Sequence, residues 1–489
     1  MARGAMQHVE LDEAAEVAEA TAPAAAPVAG PGRLWRWVVG GAVVLVAGLV
    51  LAQTVLDSRE RAAAERLAAT PGIVRAIDQD VGVLWRPDPA ATAVLLQGID
   101  AGGAALGLSV ADDGSQAFVA LDQRTGEQRF STLLFGADPD RARSLDRAAA
   151  GTCVPVTADE GPPAEAACLV SDGFVQYGDE GVQTRKPATS TRVVVLDTAD
   201  GHVVSDWSAP GATTLTALPG LAVVGVLGRD ARTEVTGRDL RTGDVRWRFS
   251  PPLPGADRRA FAGEVRLFAV DGLVGVTIPG WTATMLSPSG QVLRASRPGN
   301  ADHVVDPVAG RAVLLYSSGS GGLWSTLVER GRADVELTGE VLPFTVDDGS
   351  VPDLVLTSGG NVRGWDRSTG AARWKSDVVA SVNALVLRRR VYLSTQAGVV
   401  ALDGRTGDVV WRGATAEGNV PGFLVTDGTL LVAADQPVAG GPRSQLVAYA
   451  LDDGRTVWRA PLPDGLRSSG ALGHVFLGWG DDGRLVVLG

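Results

Sequence analysis

The stretch Ala401-Leu402-Asp403-Gly404-Arg405-Thr406-Gly407-Asp408-Val409-Val410-Trp411 decides the fold. Val399 to Leu402 and Val409 to Trp411 are β-branched and aromatic runs, separated by an Asp-x-x-Thr-Gly turn. Gly407 supplies the positive φ that a hairpin bulge requires, and the Asp403 carboxylate can accept backbone N–H bonds across the turn. One hairpin of this kind cannot bury its own apolar face. A chain that repeats it predicts a stacked or radial all-β architecture.

Aligned on the turn glycine and the aromatic four residues later, good copies are Gly126/Phe130, Gly243/Trp247, Gly370/Trp374, Gly407/Trp411 and Gly454/Trp458. Asp122, Asp239, Asp366 and Asp403 open the turns of the first four. Degenerate copies sit at Gly201, where the aromatic has slipped to Trp207, at Gly290, where Arg294 replaces it, and at Gly331, where only the strand pattern of Leu323 to Val328 survives. Successive turn glycines lie 75, 42, 47, 41, 39, 37 and 47 residues apart, close to the roughly 40–45 residues of one four-stranded propeller blade. The long first interval predicts an insertion containing the two cysteines.

The chain ends complement each other. Leu485 to Leu488 reads as the first strand of such a hairpin with no second, and Val83-Leu84-Trp85-Arg86 reads as a second strand with no first. Pairing Trp85 with the strand of Leu488 closes the array and removes its open edges. The expectation is a closed β-propeller over residues 81–489, of eight four-stranded blades within a range of seven to nine.

Upstream, residues 1–32 are rich in Ala, Glu and Pro and predict a disordered cytoplasmic tail. Trp37 to Leu56 is a run of twenty uncharged, mostly apolar residues, enough at about 1.5 Å per residue to cross a hydrocarbon core of roughly 30 Å. A membrane helix is therefore expected within 33–56, followed by a stalk at 57–80. Arginines flank the run on both sides, at 33 and 36 and at 59, 61 and 66, so charge alone does not orient it. Cys153 and Cys168 are the only cysteines, and a disulfide between them implies an oxidising compartment. That places the large C-terminal domain outside the cytoplasm, on a single-pass protein of the cell membrane.

The formal net charge of -12 argues against a nucleic-acid footprint, which needs a basic face. The chain contains no Gly-x-Ser-x-Gly elbow, His-Glu-x-x-His helix, phosphate loop or Cys-x-x-Cys pair, and its four histidines are scattered. The Asp-Asp-Gly runs at 112–114, 347–349, 452–454 and 481–483 read as turns rather than calcium loops. Asp138 and Asp140 share a loop, Ser317 to Gly322 forms a Ser/Gly loop, and Arg388-Arg389-Arg390 reads as a solvated hairpin tip or a contact for anionic polymers. No catalytic or metal residue is expected.

With Ala401, Asp403, Thr406, Gly407 and Trp411 in place, the repeat resembles the Ala-x-Asp-x-x-Thr-Gly-x-x-x-Trp tryptophan-docking motif of the PQQ-like β-propeller family. Gly126 carries Ala120, Asp122 and Thr125 with Phe130 for the Trp, while Gly237 and Gly364 replace the Ala and Ala450 the Asp elsewhere. The resemblance implies that these residues are structural, each Trp docking against the neighbouring blade. One branch of the family comprises quinoprotein dehydrogenases holding PQQ and calcium, often under a disulfide between adjacent cysteines, which this chain lacks. Another includes the assembly-factor propeller of the outer-membrane β-barrel machinery. The resulting expectation is a non-enzymatic, membrane-anchored binding or scaffolding module for an envelope protein or cell-wall component, with no cofactor. A PQQ-dependent dehydrogenase and an extracytoplasmic ligand sensor are the alternatives.

Overall fold

The computed structural model describes residues 53, 67, 69–142, 151–156, 162–177, 183–227, 233–250, 265–278, 282–295, 301–308, 311–317, 323–380, 383–415, 419–437, 444–480 and 482–489. The expected tail lies outside these residues, as does the apolar run 37–56 apart from Gln53. Among the described residues no helix is long and apolar enough to cross a membrane. The chain divides into two units, Met1–Ala64 and Glu65–Gly489, and all the sheets belong to the second.

Among the described residues nine sheets follow one another, eight of four strands and one of five. In chain order they occupy residues 99–135, 151–208, 212–249, 266–295, 301–338, 340–375, 384–413, 419–461 and 466–488. Most are plain antiparallel meanders. The second sheet is interrupted by a two-stranded hairpin, Phe174–Tyr177 with Gln183–Lys186. The seventh gains its fifth strand, Phe344–Asp347, by parallel pairing with Ala384–Leu387. Eight blades were expected and nine sheets are found, because the weak turns at Gly290 and Gly331 each join the third and fourth strands of a complete sheet. Their aromatic anchor is lost but their strand pattern is not.

Burial explains the sequence pattern. Arg390–Thr395 and Gly398–Asp403, the middle strands of the seventh sheet, are almost continuously buried, whereas the outer strand Val409–Gly413 alternates. Sheets covered on both faces require unbroken apolar runs, and outer strands do not. Each successive pair of sheets shares a buried apolar cluster, and Leu477 and Val487 of the ninth sheet pack with Ala105 and Val119 of the first. Full burial of one such Val or Leu contributes about 1.5–3 kcal/mol.

The fourth strand of the ninth sheet is Val83–Trp85, with Val83 opposite Leu488 and Trp85 opposite Val487. Where the other sheets have a turn, Gly82 and Gly489 exchange backbone hydrogen bonds of 3.0 and 3.1 Å. Two short helices with described bounds interrupt the β-structure. Helix α1, Pro89–Leu96, is capped by the Asp88 carboxylate accepting from the Ala91 N–H and buries Val94 and Leu95. Helix α2 is Pro139–Ala142. The end of the expected stalk is packed rather than free: Ile73, Val74 and Ile77 are buried, and the Val74 N–H donates to the Thr426 carbonyl at 3.0 Å.

Candidate functional site

The repeat residues assemble between sheets rather than within them. All eight turn glycines, from Gly126 to Gly454, have φ between 70 and 82°, the left-handed region that favours glycine. In the Gly407 turn the Asp403 carboxylate accepts the N–H groups of Arg405 and Thr406 at 2.9 and 3.0 Å. Asp122, Asp239 and Asp366 do the same in their own turns, and each also pairs with an arginine, Arg129, Arg246 or Arg373. The Arg129 guanidinium, with help from turn N–H groups, holds the Asp122 carboxyl at about 2. Asp239 is held at about 2 chiefly by the backbone N–H groups of Thr242 and Arg241, then by Arg246. Asp366 lies well below the usual carboxylate range through the Ser368 hydroxyl and Arg373.

The anchor of one sheet covers the turn glycine of the next. A Cβ at Gly126, Gly243, Gly290, Gly407 or Gly454 would stand 2.3–2.6 Å from the ring of Trp85, Trp207, Trp247, Trp374 or Trp411 respectively. Each of these five indoles also donates its N–H to a carbonyl of the receiving turn: Gln123, Leu240, Pro288, Gly404 and Leu451, at 2.9–3.2 Å. Phe130 covers Gly201 without that bond, and Val335 covers Gly370. At Gly331 no atom of the described residues would approach an added Cβ within 4 Å, and Arg294 pairs instead with Asp334. Trp458 packs against the cluster shared by the eighth and ninth sheets. It meets no turn glycine, because the ninth sheet takes its outer strand from the start of the chain.

Cys153 and Cys168 are bonded, but not within an inserted loop. They face each other on neighbouring antiparallel strands, Gly151–Val156 and Glu165–Ser171, and the insertion is the hairpin at 174–186. Asp138 and Asp140 pair with Lys186 of that hairpin at 3.5 and 3.3 Å. Among the described residues no group of three or more His, Cys, Asp or Glu could hold a metal ion. The Asp-Asp-Gly runs make turns, as where Asp113 accepts the Ser115 N–H and Asp453 the Arg455 N–H. The loop after Ser317 lies outside the described residues. Two of the three clustered arginines serve the fold: Arg388 donates to the Gly428 carbonyl, and Arg390 to the carbonyls of Leu451 and Asp452.

The concave feature that sequence reading missed is a cavity of about 790 Å³ along the first strands of the eighth and ninth sheets. Trp479, Phe423, Gln396, Gln436, Ser468 and Ser469 contribute to its wall. Trp479 lies on the second strand of its sheet, Val475–Gly480, off the register of the docking tryptophans, and that misplacement was the only signal in the sequence. The described wall has no charged side chain. It therefore offers neither a cation for the carboxylates of PQQ nor a carboxylate for calcium, and it does not fit that cofactor.

Residues 284–475 match the family model for outer membrane protein assembly factor BamB. The match spans under half of the chain, and no curated protein sequence matches. Among solved structures, the chain is similar to BamB from Moraxella catarrhalis, at 13% identity, covering 84% of this chain and 94% of that one with a TM-score of 0.37. It is also similar to the computationally designed Ika8 protein, at 13% identity, 86% and 99% coverage and a TM-score of 0.34. A europium-containing methanol dehydrogenase is similar at 12% identity, 86% and 90% coverage and a TM-score of 0.39. No activity follows from likenesses this distant.

Proposed function

We propose that this protein is a non-catalytic scaffold of the cell envelope. In this reading the nine sheets are the blades of one closed propeller, residues 37–56 anchor it in the membrane, and the propeller stands outside the cytoplasm. Its loop surfaces bind a protein partner. The observation that carries the reading is the match of residues 284–475 to the BamB family model, a family named for assembly of outer membrane proteins. The Cys153–Cys168 bond supports an oxidising compartment. No cofactor is proposed.

Crosslinking of the full chain in intact cells, followed by purification from the membrane fraction, tests this. A discrete envelope protein should be recovered in stoichiometric amounts, and protease added outside the cytoplasmic membrane should clip the C-terminal domain. A chain that washes off the membrane, resists that protease and crosslinks to nothing would overturn the proposal.

A further inference from the structure

We propose that the cavity along the first strands of the eighth and ninth sheets binds a neutral carbohydrate. This goes beyond the protein-partner reading and stands without it, since it rests on the cavity wall alone. At about 790 Å³ the cavity is in the range of sites that enclose small molecules.

Two aromatic rings form its apolar part. Trp479 packs on one side against the cluster shared by the ninth and first sheets, and Phe423 against that shared by the eighth and ninth. Both rings are only partly buried, so each is braced by core and keeps surface for a ligand. Gly470 lies between them: a Cβ there would stand 3.1 Å from the Trp479 ring and 3.5 Å from Phe423. The five docking tryptophans use their N–H groups on carbonyls. That of Trp479 has no hydrogen-bond partner among the described residues.

The polar part is equally unspent. Gln396, Gln436, Ser468 and Ser469 line the cavity, and among the described residues none of their side chains makes a hydrogen bond within the protein. Ser469 is only 3% exposed. Gln436 and Ser468 are half-buried and Gln396 is exposed, so these groups are open to a ligand that supplies partners in place of water. Amides and hydroxyls both donate and accept. Vicinal sugar hydroxyls offer the same mixture, and the C–H faces of a pyranose suit two aromatic rings.

Two features narrow the ligand. A charged group would meet no counter-ion among the described residues of the wall, which is costly. A peptide adding itself as a strand needs a continuous backbone edge, and here Pro421 lacks an N–H while the register breaks between Pro421 and Leu424. The wall therefore offers side chains more than a ladder.

The test titrates the full chain, in detergent, with maltotriose, mannotriose and chitotriose and with an end-capped uncharged tripeptide, reading tryptophan fluorescence and calorimetric heat. At least one trisaccharide should bind and quench or shift the emission. Trp479→Ala and Gln436→Ala should each weaken that binding tenfold or more, and Trp479→Phe should keep part of it. Gln436→Ala keeps the test valid if loss of the indole unfolds the ninth sheet. Binding of no trisaccharide, or binding that survives both alanine variants, would overturn the proposal. Binding of the capped tripeptide alone, with the same dependence on Trp479 and Gln436, would overturn its ligand class.

Discussion

The turns at Gly454 and Gly331 each set a glycine at positive φ and differ in what covers it. Both glycines have positive φ, 70 and 75°, and both join the last two strands of a sheet. At Gly454 the ring of Trp411 fills the space an added Cβ would take, and its indole donates to Leu451 at 3.0 Å. Tyr392 flanks that ring, with centroids 5.8 Å apart. At Gly331 no described residue lies within 4 Å of an added Cβ, and the neighbouring sheet reaches across through the Arg294–Asp334 ion pair, whose guanidinium is about half exposed. The chain thus separates two tasks: glycine makes the turn, and the aromatic locks one sheet to the next.

The largest effect should come from removing the lock. Trp411→Ala should lower stability by about 3–5 kcal/mol, since it leaves a cavity in a cluster shared by two sheets and strips a partner from the Leu451 carbonyl. An unchanged denaturation midpoint would break the comparison. Gly454→Ala should come next, because it adds backbone strain of about 1–2 kcal/mol to a collision 2.3 Å from the Trp411 ring. Gly331→Ala should show the strain without the collision, so equal losses at the two positions, read by chemical denaturation, would show that the ring matters less than the turn.

Breaking the ion pair should cost least. Arg294→Ala, Asp334→Ala and the double variant should give a coupling below about 1 kcal/mol that fades with added salt, as exposed pairs do. Acid sharpens the same contrast among the aspartate turns. Asp122 and Asp239 titrate near 2 in the folded chain, against 3.8 for a free carboxyl. Their contribution is complete above about pH 4 and is lost as pH falls towards 2, because the unfolded chain binds protons first. Asp122→Asn with Asp239→Asn should flatten that acid limb in a pH series of melting curves.

Much of this fold was legible because its unit is local. The aspartate, the glycine four residues on and the aromatic after it lie on one hairpin, and the chemistry of a turn depends on neighbours in sequence. The half-hairpins at Trp85 and Leu488 were readable for the same reason, as strands lacking partners. Counting was less secure: where Arg294 and Val335 stand in the aromatic position, the signal fades although the strands persist, so eight were expected for nine. The cysteines were paired correctly but placed in a loop, since a register that sets Cys153 opposite Cys168 belongs to strand pairing. The cavity was invisible, as Trp479, Gln396 and Gln436 come from three sheets and share no motif.

The sequence by itself determined the hairpin repeat, its turns and the complementary ends, because each depends on steric and hydrogen-bonding preferences within a few residues. Only the tertiary structure decided which sheet each tryptophan locks, where the disulfide lies and which polar side chains line a common space. Those depend on distances between strands that the chain brings together from far apart, and no local preference encodes them.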